Sequence, residues 1–276
     1  MSLSPGFSGT AVPAALSAGV AVWAWVALIG YAVAAAAPSA LLHIGGPALL
    51  AGLGAHVLML AFDIGHVGLS GTAARLGFGP VLSLTVCAVV AVHAIESRLV
   101  PVPKVRRALA LAGLAAVALA MLFPGDLRLL GSPWAPLHWL LGVAAYGLFG
   151  AAVLHALLLD ESERRLRSRR GAALSASSPG MPLLQLERIT YRFVQAGFVV
   201  LTAAIVLGMA TSASWRLDHK TVLSLGSWAL FAALLAGRHW RGWRGRQATR
   251  WLYAGALVLL LAYAGTRFVS EVLLGR

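Results

Sequence analysis

The chain has 276 residues, 59% of them hydrophobic and 11% charged, with a mean hydropathy of +0.83. A soluble domain carries roughly 45–50% apolar and about 25% charged residues, so this composition excludes a soluble globular fold, a disordered tail, a coiled coil and a disulfide scaffold. The lone Cys87 excludes an internal disulfide and a CxxCH haem-attachment sequence, and the net charge of +13, set among long uncharged apolar stretches, reads as membrane-topology charge with no nucleic-acid partner.

A bilayer core takes about 20 apolar residues per helix. In chain order, eight spans are expected over residues 14–37, 44–62, 79–97, 107–123, 136–159, 191–210, 220–237 and 251–272. The first is too long for a signal peptide and no charged segment precedes it. A turn around Pro38, Ser39 and His43 joins the first two spans, and the Pro101/Pro103 segment joins the third and fourth. The stretch from Asp160 to Met181 is Arg-rich and then rich in Ala, Ser, Gly and Pro, which predicts a flexible cytoplasmic loop over 160–181 with contacts to anionic lipid. No internal repeat is evident.

Basic residues gather in three alternate connections: Arg98 to Arg107, Arg164 to Arg192, and Arg238 to Arg250. These hold sixteen of the 22 Lys and Arg residues, and the positive-inside rule assigns them to the cytoplasm. Both termini, and the connections near Arg75, Arg128 and Trp215–Lys220, then face the outer (periplasmic) side. The expected fold is an all-α polytopic membrane protein, a single integral membrane domain over 1–276 in the cell inner membrane.

The same orientation sorts the histidines, the most informative polar residues in the spans. His56, His66, His138 and His219 fall toward the outer side, and His43, His93, His155 and His239 toward the inner side. An ionisable side chain at membrane depth is a functional hypothesis by default, and neutral imidazole is the commonest protein ligand of haem iron. Near the interface, His43, His66 and His239 need no more explanation than solvation, and His93 and His155 can hydrogen-bond between helices. His56, His138 and His219 are the candidate metal ligands.

Trp134, Trp139, Trp215 and Trp228 lie on the same side, where an interfacial aromatic belt alone would account for Trp134 and Trp215. Trp228 is about 12 Å into its span at 1.5 Å per residue, deep enough to wall a planar apolar ligand. Arg216, Asp218 and Lys220 bracket His219, and a cation there would suit haem propionates. Arg267 and Glu271 stand at i,i+4 spacing and can pair with each other, while Arg238, Arg241, Arg244 and Arg246 read as topology and headgroup charges. There is no P-loop, GxSxG or HExxH sequence, and Asp63, Glu96 and Asp126 are scattered, so no catalytic residues are singled out.

Three pieces over Met181–Ala248 resemble the cytochrome c assembly protein family, the CcsA-type haem-handling membrane proteins. The first is Pro182-Leu-Leu-Gln-Leu-Glu187, with Tyr191, Gln195-Ala-Gly-Phe198, Leu201-Thr202 and Gly208. The second is Trp215-Arg-Leu-Asp218-His219-Lys220, then Leu223-Ser224-Leu225 and Trp228, similar to a reduced form of the family's tryptophan-rich signature. The third is Gly242-Trp243-Arg244-Gly245-Arg246 with Ala248, and upstream the helix from Leu137-His138 to Phe149 matches the family's histidine-bearing helix. The likeness is strongest over 134–250.

By this resemblance the tryptophan-rich segment contacts haem on the outer face and flanking histidines are its axial ligands. His138 takes the place of the histidine ahead of the signature, and Trp215, Asp218, Lys220 and Trp228 match the signature itself. The signature's Pro is replaced by His219 and its Glu by Thr221, and no histidine follows the last span. The pattern is closer to the shorter branch, which includes the YpjD-type and HemX-type proteins, and in this chain His219 or His56 is the candidate second ligand.

The resemblance implies a membrane protein of haem export, holding or transfer in cytochrome c-type biogenesis, with haem b as cofactor. Trp215, Trp228, Asp218, Lys220 and Arg216 would contact it, and its partners would be lipids and a cytochrome c maturation or other membrane protein. Two other classes stay open: a ligand-free regulatory or structural subunit, and an accessory to ion or small-molecule transport.

Overall fold

A computed structural model describes residues 14–38, 41–65, 73–96, 103–129, 133–169, 183–211 and 218–273. The helices are α1 (Ala14–Ala36), α2 (Leu42–Leu60), α3 (Phe78–Glu96), α4 (Pro103–Leu122), α5 (Ala135–Arg169), α6 (Leu183–Thr211), α7 (His219–Arg241) and α8 (Gly245–Leu260). Among the described residues these give eight helical segments long and apolar enough to cross a membrane, the last being α8 with its continuation to Gly265. The turns Ala61–Gly65 after α2, and Leu261–Gly265 and Phe268–Leu273 after α8, wind as π-helix. Two short strands, β1 (Ala73–Leu76) and β2 (Asp126–Leu129), pair antiparallel with Ala73 opposite Leu129 and Leu76 opposite Asp126. Hydropathy gave no hint of this clasp at the edge of the spans.

The helices form two bundles. In the first, Ala24, Ala27, Tyr31 and Ala34 of α1 are buried against Leu49 and Met59 of α2, Val90 of α3, and Leu109 and Val117 of α4. Lipid tails are as apolar as these side chains, so association in a membrane rests on close packing and hydrogen bonds, and small residues let backbones approach. Gly30 of α1 meets Gly52 of α2 so closely that a Cβ at Gly30 would lie 2.7 Å from the Gly52 Cα. In the second bundle larger rings do this work. Phe149 of α5 and Phe231 of α7 stack at 3.7 Å and 3°, joined by Val194 and Leu201 of α6 and by Leu252 and Leu259 of α8. Large apolar side chains such as Trp25, Ile29, Leu140, Val199 and Leu257 are exposed, as a lipid-facing surface requires. The bundles meet where Gly147 and Gly150 of α5 press on Ala88 and Val89 of α3.

Several helices outrun the expected spans. Helix α5 continues from the expected 159 to Arg169, so the first ten residues of the segment read as a flexible loop are helical. The reason is local: acids precede arginines by four positions at Glu161/Arg165 and Glu163/Arg167, a helix-supporting order. Asp160 is also docked, accepting bonds from Thr249 (3.2 Å) and Tyr253 (2.9 Å) of α8. The remainder of that loop, from 170 to 181, lies outside the described residues. Helix α7 ends at Gly242, where φ is +66° and the amide returns to Arg238 O, a left-handed cap that glycine adopts without a Cβ clash.

Candidate functional site

The antiparallel packing of α5, α6, α7 and α8 gives the second bundle two polar ends. At one, the start of α5 meets the end of α6, which in turn packs against α7. There the Nδ1 of His138 lies 2.9 Å from the carbonyl oxygen of Ala204. A carbonyl only accepts, so Nδ1 donates its proton here, and in the neutral ring the lone pair then sits on Nε2, the tautomer in which imidazole ligates a metal. The ring rests on Gly208, where a Cβ would stand 2.9 Å from its Cε1. His138 is thus half-buried, with its plane fixed by α6. Holding one ring nitrogen on a backbone carbonyl is the usual way a protein orients a ligating histidine.

Helix α6 presents a different face to α7. The indole Nε1 of Trp228 donates to Thr202 Oγ1 at 2.9 Å, and Thr202 in turn donates to the Phe198 carbonyl at 2.7 Å. The Phe198 and Trp228 rings stack at 5.5 Å and 27°. Trp228 is therefore a fixed aromatic wall, and its polar edge is satisfied by the protein.

Asp218 caps α7. Its Oδ1 accepts from the Thr221 amide at 2.8 Å and from the Thr221 hydroxyl at 2.7 Å. The amide, then the hydroxyl, hold the carboxyl below the usual carboxylate range. This helix-start signal, Asp followed three residues later by Thr, was legible in the sequence but was masked there by the signature reading. His219 is exposed and Lys220 half-buried on the first turn of α7. Trp215, Arg216 and His66 lie outside the described residues. Trp134 is exposed and Trp139 half-buried near the start of α5.

The structure does not bring His56 to this end. It is fully buried in the first bundle, with Nδ1 3.0 Å from Tyr31 Oη and Nε2 2.6 Å from Ser83 Oγ. Both ring nitrogens lie against these hydroxyls, so in this structure His56 ties α1, α2 and α3. The signal missed was the pair of buried hydroxyls on neighbouring helices, which no local pattern reveals.

Of the other histidines, His43 and His239 are exposed and His93 and His155 are buried, with the Nδ1 of His155 2.8 Å from the Ala151 carbonyl of its own helix, not across to another one. Among the described residues no three of His, Cys, Asp and Glu gather as a metal cluster.

The opposite end of the bundle is a latch. Arg238, read from sequence as a topology charge, donates to Glu187 at 2.7 Å and lies 3.4 Å over the ring of Tyr191. Tyr191 itself donates to Trp243 O at 3.3 Å. A cavity of about 10 Å³ between Leu159, Glu187, Tyr191 and Leu252 is no larger than a single water needs. Arg267, expected to pair with Glu271, is buried with its guanidinium 5.6 Å from the Tyr263 ring centroid. The side chain of Glu271 lies outside the described residues.

A family model described as cytochrome C assembly protein matches residues 77–274. The chain is 31% identical over 266 residues to the inner membrane protein YpjD of Escherichia coli, covering 91% of this chain and 99% of that protein. It is 38% identical over 152 residues to a 28.8 kDa protein of Azospirillum brasilense, covering 52% of this chain and 55% of that one. It is 28% identical over 180 residues to the cytochrome c biogenesis protein CcsA of Prochlorococcus marinus, covering 53% and 56%. The match spans about half the length of the Azospirillum and Prochlorococcus relatives and nearly all of YpjD. No solved structure matches the chain.

Proposed function

The chain belongs to the cytochrome c assembly protein family, and from that premise we propose that it holds haem for delivery or transfer at the end of the second bundle formed by α5, α6 and α7. It is a multi-pass protein of the inner membrane, the location for which its relative YpjD is named. The observation that carries the reading is His138: its Nδ1 is committed to the Ala204 carbonyl, so its Nε2 is available as an iron ligand.

His138 would supply one axial bond and His219, exposed on the first turn of α7, the second. Trp228 and Phe198 supply an aromatic wall, and Lys220 a cation for a propionate. Trp215 and Arg216 join this set by the signature alone. Haem bound this way is releasable, since a histidine–iron bond is reversible, and release to a cytochrome c maturation partner is the step this chain's residues would serve. The arginine-rich connections support an outer-side location for this end under the positive-inside rule.

One observation favours a second reading, a ligand-free regulatory or structural subunit: Asp218 and Trp228 both have packing partners of their own. A pyridine haemochrome spectrum of the detergent-purified chain separates the two. Haem b at near-stoichiometric amounts, reduced in His138→Ala, is the result expected. A colourless protein that stays colourless after haem addition overturns the haem reading and leaves the structural one.

A further inference from the structure

Arg106 was assigned by sequence to topology, yet its side chain is only 7% exposed. From the second turn of α4 it reaches the junction of α1 and α2, where Nη2 donates to the Ala37 carbonyl at 2.8 Å, just past the end of α1. Its Nε and Nη1 are buried with no hydrogen-bond partner, and among the described residues no carboxylate pairs with it. The guanidinium presses on the first turn of α2, where a Cβ at Gly45 would collide with Nη1, Cζ and Nε.

That turn is itself unsatisfied. Leu41 provides no side-chain cap, and the amides of Ile44 and Gly45 both go to the Leu41 carbonyl at 3.1 Å. The amides of Leu42 and His43 meet no acceptor among the described residues. A helix start carries partial positive charge, and here a buried cation is pushed against it. Buried charge without a counter-charge is costly. One oxyanion with several acceptors answers both the fork of the guanidinium and the amides of the turn.

We infer that the α1–α2 junction is a binding site for a phosphate group, clasped by Arg106 and the first turn of α2. Its level in the membrane fits a headgroup: the apolar spans end at Ala36 and begin at His43 and Val105, all at this junction. A phospholipid phosphate and free inorganic phosphate share the chemistry.

The test is thermal unfolding of the full chain, purified in detergent and delipidated, with phosphatidylglycerol, phosphate-free diacylglycerol or inorganic phosphate added. Phosphatidylglycerol raises the midpoint of the wild type by several degrees and diacylglycerol does not. A shift from inorganic phosphate alone assigns the site to the free ion. Arg106→Gln abolishes the shift, while Arg107→Gln, at the exposed neighbour, keeps it. Gly45→Ala, which retains the charge but displaces the guanidinium, also abolishes it and serves if Arg106→Gln does not fold. Equal shifts with phosphatidylglycerol and diacylglycerol, or an undiminished shift in both the Arg106 and Gly45 variants, overturn the proposal.

Discussion

In the first bundle His56 is sealed between three helices, one ring nitrogen on the Tyr31 hydroxyl and the other on Ser83. In the second, His138 spends one nitrogen on the Ala204 carbonyl, and the other keeps its lone pair. Both belong to the set that charge asymmetry assigns to the outer side. What separates them is the partner of the second nitrogen. A histidine with both nitrogens bonded to the fold contributes cohesion, whereas one oriented through a single nitrogen retains capacity to ligate. The family match begins at residue 77 and so includes His138 but leaves α1, α2 and His56 outside.

The largest expected effect on stability is His56→Ala. It opens a cavity and strands the buried hydroxyls of Tyr31 and Ser83, which costs roughly 2–4 kcal/mol. The readout is the thermal midpoint in detergent, and haem binding by the protein that remains folded should be unchanged. Loss of haem from folded His56→Ala would break the comparison.

Next comes Gly208→Ala, whose Cβ would sit 2.9 Å from His138 Cε1. Moving the imidazole off its carbonyl should weaken haem binding about 10–100-fold, the range for disturbing a ligand's support, with little change in the unfolding midpoint. Haem titration followed by absorbance measures it, and unaltered affinity would mean that the ring's seat on α6 is irrelevant.

Trp228→Phe keeps an aromatic ring beside Phe198 but deletes the bond to Thr202, a loss of about 1 kcal/mol. Asp218→Ala removes the α7 cap for a similar or smaller cost, about 0.5–1 kcal/mol, and Asp218→Asn restores the cap without the charge. If the Asn variant binds haem as the wild type does, the carboxylate of Asp218 acts as a cap alone.

The pH dependence of that cap has a definite sign. The carboxyl is held below its usual value of 3.8 in the folded protein, so its stabilisation is complete above that value and disappears as pH falls through the folded one. An acid titration of unfolding should show this small component in the wild type and lack it in Asp218→Asn.

Hydropathy located every one of the eight crossing helices, because the bilayer demands an apolar length that is written locally. It misjudged their ends. Helix α5 runs on through Glu161–Arg169 and α6 begins at Leu183, since charged residues that leave the bilayer still form helix. Helix partners were illegible for a related reason: when every surface is apolar, hydropathy does not say which face meets which. His56 with Tyr31 and Ser83, Arg238 with Glu187, and Arg106 with Ala37 are all joined across distant segments. At the candidate site, residue type and depth single out His138 and Trp228 as proposals, and Asp218, whose helix-start pattern with Thr221 stands in the sequence, acts as a cap through its 2.8 Å bond to the Thr221 amide.

The most direct measurement is a haem titration, read at the Soret band, of the wild type, His138→Ala and His56→Ala in parallel. The account predicts a saturable band in the wild type and in folded His56→Ala, with loss or displacement of the band in His138→Ala. An identical band in His138→Ala and wild type, or no band in the wild type, would contradict it.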